Sequence, residues 1–88
     1  MDEQIVNRVI EIVRENITSL PHEFDNTEAE LSQMGMDSIV FIRIVIAFEG
    51  AFDIEIPDEK LIVTEMGTIK KMVEVVTSAI AVKTSEEG

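Results

Sequence analysis

The chain has 88 residues and a formal net charge of −11, and it contains no cysteine, tryptophan or tyrosine. This length indicates a single domain, and the lack of cysteine excludes disulfides and thiolate metal sites, which fits a cytoplasmic protein. The acidic balance disfavours nucleic acid as a partner and favours basic protein surfaces. No apolar run reaches the roughly 18 residues of a membrane-spanning helix, so we expect no membrane association.

The N-terminal segment has the spacing of an amphipathic helix, which we place at about Glu3 to Ile17. A long connection follows, interrupted by Pro21, Asn26 and Gly35. Its apolar residues are spaced apart and predict that it packs on the core. A connection this long without regular structure is often functional.

The most apolar segment, QMGMDSIVFIRIVIAF, spans Gln33 to Phe48 and allows two interpretations. Its Ile, Val and Phe residues favour a buried strand. Its length favours a helix, because the apolar pattern continues to Phe52, beyond ordinary strand length. Asp37 and Ser38 are both good N-cap residues, so we predict that a second helix begins here.

The rest of the chain predicts a linker and two more helices. The stretch FDIEIPD is predicted to be an extended linker, and Pro57 precedes a short helix at about Asp58 to Ile62. Gly67 and Thr68 start the last helix. In so short a chain, amphipathic helices can bury their apolar faces only against each other, which predicts an all-α fold.

The predicted architecture is a small four-helix bundle, with three main helices, one short helix and a long loop between helices 1 and 2. We expect one domain over residues 1–83 and a flexible C-terminal tail over residues 84–88. We also expect a monomer.

Few residues of the sequence support catalysis. His22 is the single histidine, and its place beside Pro21 in a polar loop predicts a solvated side chain. Histidine-dependent triads and zinc sites therefore lack partners, and the sequence has no glycine-rich phosphate loop or EF-hand pattern. A bundle of this size rarely encloses a substrate cleft, so we expect neither an enzyme nor a metal site.

Ser38 stands at the start of the apolar segment and has two interpretations. Serine is a common helix N-cap, which would make its role structural. A helix start also favours an attached phosphate, because the backbone N–H groups and the helix dipole stabilise negative charge. Gly35 allows a sharp turn just before it. The spacing alone does not separate a cap from a modification site.

The segment LSQMGMDSIVFIRIVIAFEGAFDIEIPDEKL, from Leu31 to Leu61, resembles the acyl carrier protein family. It shares a glycine three residues before the serine and an Asp-Ser-Ile core. The stretch AFEGAF is similar to the family's Leu-Glu-x-x-Phe, and IEIPDE follows it. The whole chain also resembles the family in length, acidity and helix order.

The resemblance implies that Ser38 receives a 4′-phosphopantetheine arm from coenzyme A, through a phosphopantetheinyl transferase that uses Mg²⁺. The thiol of the arm would hold an acyl, aminoacyl or peptidyl group as a thioester and present it to acyl-loading, elongating or tailoring enzymes. By the same resemblance, Asp37 assists the transferase complex and its metal, and Gly35 supports the site. Candidate walls for a sheltered acyl chain, with ordinary core packing as the alternative, are Val45, Ile46, Phe48, Phe52, Ile62 and Val73.

The segment after the serine departs from the family's pattern. Carriers of primary fatty acid synthesis usually have acids here, which meet basic patches on partner enzymes, whereas this chain has Val40 and Arg43. We therefore expect docking through an apolar surface around Arg43, with partners of a polyketide, nonribosomal peptide or other specialised pathway. A housekeeping fatty-acid carrier is the alternative. The expected partner-binding residues are Ile39, Val40, Phe41, Ile42, Arg43, Ile46, Glu49, Glu55, Asp58 and Glu59.

Two other classes of protein stay open to the sequence. One is a helical adaptor whose serine is never modified, which differs from a carrier in whether Ser38 accepts the arm. The other is an acidic metal-binding protein, in which a bound cation would raise the melting temperature.

Overall fold

The computed structural model describes residues 3–21, 24, 26–61 and 66–87. These residues form three α-helices: α1 over Glu3–Asn16, α2 over Ser38–Phe52 and α3 over Ile69–Glu87. Two short 3₁₀ helices, Leu31–Met34 and Asp58–Lys60, lie in the connections. No strand is assigned in this part of the chain, and the all-α prediction is confirmed.

The prediction of a fourth helix is partly wrong. Within the described residues, the segment after Pro57 forms only a 3₁₀ turn over Asp58–Lys60, and Leu61 has already left helical geometry with ψ 48°. One turn of this kind closes few hydrogen bonds and does not add a layer to the bundle. Ile62 and His22, whose roles the sequence also predicts, lie outside the described residues.

α2 is helical over its full length, which decides between the helix and the strand interpretations. Asp37 is extended at its N-cap, and Asp53 ends it in the left-handed region with φ 52°. The strand propensity of Ile and Val gives way because helical spacing places one face in the core. The buried residues of this face are Phe41, Ile44, Val45 and Phe48.

The core lies where the three helices meet, with α1 packed against both α2 and α3. Each large apolar side chain that is fully buried stabilises the fold by about 1.5–3 kcal/mol. The fully buried side chains come from all three helices and from the connections: Val9, Ile12, Val13, Leu31, Ile44, Phe48, Met66, Ile69, Met72, Val73 and Val76.

The long connection between α1 and α2 is bonded to the start of α3. The Lys70 N–H donates to the carbonyl oxygen of Thr27 at 2.8 Å, and the Leu31 N–H donates to the carbonyl oxygen of Gly67 at 2.9 Å. Leu31 is fully buried. The connection therefore packs on the core, as the sequence predicts.

Side chains in and just after α1 hold the same connection at two more points. Arg14 Nε donates to the carbonyl oxygen of Phe24 at 3.0 Å, and the Ser19 hydroxyl donates to the carbonyl oxygen of Met34 at 2.7 Å. The next residue, Gly35, has φ 108°, and a Cβ placed there would lie 2.5 Å from Ser19 Oγ. Gly35 is thus required by its backbone conformation and by its surroundings.

The linker after α2 is held by two carboxylates. Glu49 Oε2 accepts a hydrogen bond from the Ile56 N–H at 3.1 Å. Asp53 pairs with Lys83 of α3. The hydrogen bond from Lys83 and then its positive charge lower the pKa of Asp53 below its ordinary value of 3.8, and desolvation opposes them. These contacts hold the linker after α2. The predicted extended stretch is shorter than expected, because Phe52 lies in α2, Asp53 is left-handed and Asp58 lies in the 3₁₀ turn.

Gly50 lies near the end of α2 and has no packing role. A Cβ placed there would meet nothing within 4 Å, and its backbone does not adopt positive φ. Glycine in a helix is destabilising by about 0.5–1 kcal/mol relative to alanine. The contacts within the described chain therefore give no reason for a glycine at this position.

α3 begins at the predicted place and extends further than predicted. Thr68 Oγ1 accepts a hydrogen bond from the Lys71 N–H at 3.1 Å and so caps the first turn. The helix runs to Glu87, so the backbone is helical where the sequence predicts a frayed tail. The flexibility of residues 84–88 stays a prediction. Across the described ranges, no helix combines the length and hydropathy needed to cross a bilayer.

Gly35→Ala is expected to destabilise the fold by about 1–3 kcal/mol, because alanine is strained at φ 108° and its methyl group collides with Ser19. Urea unfolding followed by far-UV circular dichroism measures the change. The matched control is Gly50→Ala, which is expected to stabilise by about 0.5–1 kcal/mol. Equal stabilities of the two variants would contradict the conclusion that the backbone and surroundings of position 35 require glycine.

The Asp53–Lys83 pair is expected to stabilise the fold only above the acid range. The folded-state pKa of Asp53 is lowered, so the contribution is present above its ordinary value of 3.8 and is lost as pH falls through the lowered value. Asp53→Asn should therefore lower the melting temperature at neutral pH, and the difference should shrink progressively as the pH falls below 3.8.

The control for this charge change is Glu55→Gln, which removes an exposed acid from the same linker. Removing one acid from a strongly acidic chain relieves repulsion, so this variant should not lower the melting temperature at neutral pH. A pH-independent loss in Asp53→Asn would mean that the effect comes from helix termination and not from the ion pair.

Candidate functional site

The start of α2 is capped by Asp37 and not by Ser38. Asp37 Oδ1 accepts a hydrogen bond from the Val40 N–H at 2.9 Å, and the Asp37 carbonyl oxygen accepts from the Phe41 N–H at 2.9 Å. Ser38 is the first residue of the helix proper. The capping role that the sequence allowed for Ser38 is therefore filled by Asp37.

Ser38 is exposed, and its hydroxyl makes no hydrogen bond to the described part of the chain. It lies at the positive end of the α2 dipole, beside N–H groups that have no carbonyl partner inside the helix. The helix dipole therefore favours a phosphodiester on its exposed oxygen. The surroundings of Ser38 therefore fit the group that the sequence resemblance implies.

A shallow groove of about 510 Å³ begins at Ser38 and runs along α2. Its surface is mostly apolar, and Leu61 closes it from the linker side. Leu61 was not among the residues that sequence reasoning selected, although its position directly after IPDEK in the resembling segment was a signal for it. The groove is lined by Ser38, Phe41, Ile42, Val45, Ile46, Glu49 and Leu61.

The outer face of α2 carries three large apolar side chains in solvent. Ile39, Ile42 and Ile46 are 64%, 56% and 62% exposed. Arg43 lies among them and is also exposed. It forms no ion pair or hydrogen bond within the described residues. These four residues have the positions on the surface that the docking prediction needs.

Two of the predicted partner-binding residues are placed differently. Phe41 is only 5% exposed and belongs to the core cluster, so it supports α2 from within and offers little contact area. Val40 is half-buried. The helical period explains the burial of Phe41, because a residue two positions after the exposed Ile39 lies about 200° around the helix and turns toward the bundle.

The acidic residues predicted to bind partners also differ in their exposure. Glu49 is half-buried, and one of its oxygens is bonded to the Ile56 N–H, so it holds the linker. Glu55, Asp58 and Glu59 are exposed in the segment after α2. Among the residues that the structure describes, no three acids or histidines are grouped closely enough to hold a metal ion.

The candidate walls of a sheltered acyl chain are mostly ordinary core. Val45, Phe48 and Val73 are buried at 6%, 0% and 2% exposure, and Phe52 is half-buried. Ile46 is exposed and lines the open groove. Within the described part of the chain, Ser38 therefore adjoins an open surface groove.

Comparison with known proteins identifies the family. A family model described as "Phosphopantetheine attachment site" matches residues 7–76. The acyl carrier protein of Caulobacter vibrioides, in two strains, is 38% identical over 55 residues, which are 62% of this chain and 70% of the relative. The acyl carrier protein of Phenylobacterium zucineum strain HLK1 is 36% identical over 55 residues, with the same coverage.

A similar chain is also found in a solved structure described as "The ishigamide ketosynthase/chain length factor". The two chains agree with a TM-score of 0.72 and 25% sequence identity, and the match covers 92% of this chain and 99% of the other. The family match spans most of the chain and includes the exposed serine at the start of α2. The protein therefore belongs to the acyl carrier protein family, whose members carry a covalently attached 4′-phosphopantetheine.

Proposed function

We propose that this protein carries acyl, aminoacyl or peptidyl intermediates as thioesters on a 4′-phosphopantetheine arm attached to Ser38. The observation that supports the proposal most directly is the free hydroxyl of Ser38, exposed at a helix start that Asp37 already caps. A serine used as the cap would have to give up that bond to be modified. Here modification costs the fold no contact.

The chemistry of attachment is supplied by a transferase and not by this chain. The Ser38 oxygen forms a bond to the phosphorus next to the pantetheine of coenzyme A, the hydroxyl proton leaves, and the nucleotide part of coenzyme A departs. When bound, the arm supplies a thiol that forms and exchanges thioesters. This chain positions the arm at the end of a rigid helix and presents the cargo to acyl-loading, elongating or tailoring enzymes.

The groove beside Ser38 supports a role in handling apolar cargo. It starts at the attachment residue and is lined by apolar side chains of α2 and by Leu61. An acyl chain laid along it removes apolar surface from water on both sides, at about 25 cal/mol per Å². Its open form suits cargo that must leave again, because little protein has to move for release.

We further propose that the partners belong to a polyketide, nonribosomal peptide or other specialised pathway. Two observations support this. The outer face of α2 carries isoleucines and Arg43 where acids are expected in fatty-acid carriers, and the similar solved chain belongs to a structure described as "The ishigamide ketosynthase/chain length factor". A housekeeping fatty-acid carrier is the second candidate, favoured by the similarity to the Caulobacter and Phenylobacterium acyl carrier proteins.

Incubation with coenzyme A, Mg²⁺ and a broad-specificity phosphopantetheinyl transferase is expected to add one phosphopantetheine group to the protein. Intact mass spectrometry measures the gain, and Ser38→Ala is the control that should gain nothing. A folded protein that gains no mass with several transferases would contradict the proposal. The unmodified adaptor would then be the better description.

Asp37→Asn is expected to keep the role of this residue as a helix cap and to remove its role in the transferase complex. Asparagine caps a helix as well as aspartate does, so the melting temperature should change little. The lost charge should slow the transferase by about 10-fold or more, if Asp37 supports the metal in that complex as the resemblance to carriers implies.

The control for this separation is Asp37→Ala, which removes the cap as well and should cost about 0.5–2 kcal/mol of stability. If Asp37→Asn were modified as fast as the parent protein, then Asp37 would act on α2 alone.

A further inference from the structure

One face of α2, here called the isoleucine face, is uncovered in the folded chain. It consists of Ile39, Ile42, Arg43, Ile46 and Gly50, which lie within one strip of a 3.6-residue helix. The three isoleucines are each more than half exposed. Surface apolar residues are common singly, whereas a contiguous group along a helix is typical of a protein contact.

The charge of this face is opposite to that of the molecule. The chain has a net charge of −11, and ten acids lie between Glu23 and Glu59 with Arg43 as the single base. On α2 itself the other charged residue is Glu49, and its carboxylate holds the linker through the Ile56 N–H. Arg43 has no ion pair or hydrogen bond within the described residues, so the face presents one unpaired cation among apolar side chains.

Gly50 gives a second and independent indication that another molecule covers this face. It lies in the same strip, in a helix where alanine would be more stable, and a Cβ there would meet nothing in this chain. A glycine that no contact within the chain requires is explained when a partner approaches the helix backbone closely. The isoleucine face is therefore the side of α2 on which such an approach is possible.

We propose that the isoleucine face docks a partner enzyme whose surface is apolar around a single carboxylate, with the carboxylate opposite Arg43 and a closely packed group over Gly50. Arg43 then determines specificity, because it repels any partner with a base at the centre of its patch. The inference rests on the proposed carrier function, since it names the partners of that carrier.

The test is a charge swap with a probe enzyme of known patch, a fatty-acid ketosynthase whose docking surface is basic. Dissociation constants are measured for arm-bearing parent protein and R43E, against the ketosynthase and against variants in which each base of its patch is changed to Glu in turn. R43E is expected to bind the unmodified ketosynthase about tenfold tighter or more, because it removes a like-charge contact. The ketosynthase variant in which the base opposite Arg43 is changed to Glu should instead bind the parent protein more tightly than R43E.

The matched control is Arg8→Glu, which makes the same charge change on α1 at an exposed residue that pairs with Glu11. It should leave every dissociation constant within about twofold, since distant surface charges are screened. A response of R43E no larger than that of Arg8→Glu overturns the inference, as does a response that does not depend on which ketosynthase base is changed.

Gly50→Ala gives a measurement in which stability and docking move in opposite directions. Its melting temperature should rise by about 2–8 °C, while the best-matched ketosynthase variant should bind it about fivefold more weakly or worse. Unchanged binding would contradict the proposal that a group of the partner packs closely over Gly50. A protein that never accepts the arm refutes the carrier function, whereas an arm-bearing protein indifferent to R43E refutes the docking inference alone.

Discussion

The hydrogen bond from the Val40 N–H to the Asp37 carboxylate fixes where α2 begins and leaves the hydroxyl of the next residue, Ser38, unbonded. If the cap moved by one residue, Ser38 would lose its free hydroxyl to the backbone. The cap therefore sets which residue is available for modification. The apolar face of α2 that packs in the core sets which side chains face outward.

The pattern of apolar residues along α2 explains how one helix serves two purposes. Phe41, Ile44, Val45 and Phe48 form its buried face, while Ile39, Ile42 and Ile46 form the exposed one. The groove lies between the two faces and begins at Ser38. In an acidic chain of this size, the core must offset the repulsion among the charges. α2 has more apolar residues than its buried face holds, so some of them lie at the surface.

Much of this arrangement could be predicted from the sequence, because it depends on local signals. Helical spacing identified α1, the length of the apolar pattern identified α2, and the Asp-Ser pair identified the start of α2. Which of Asp37 and Ser38 is the cap could not be predicted, since both residue types are good caps and the choice depends on one hydrogen bond. The resemblance to carriers favoured a modified serine but did not assign the cap.

The incorrect and missing predictions concern contacts between distant residues. Phe41 was expected at the docking surface because its neighbours are, and only the orientation of α2 against the core shows that it is buried. Glu49 was expected to be free for partners, yet it bonds to the backbone seven residues later. The bond between Ser19 and Met34, and the pair of Asp53 with Lys83, join residues that no local pattern connects.

The bonds between the first connection and the start of α3 have a consequence for folding. Thr27 pairs with Lys70 and Leu31 with Gly67, so the segment before Ser38 is placed by residues far along the chain. Such pairs raise the contact order of a helical bundle, because a long loop must close before they form. The attachment serine therefore reaches its final setting only after α3 has docked, and an enzyme that requires this setting distinguishes a folded carrier from an incomplete one.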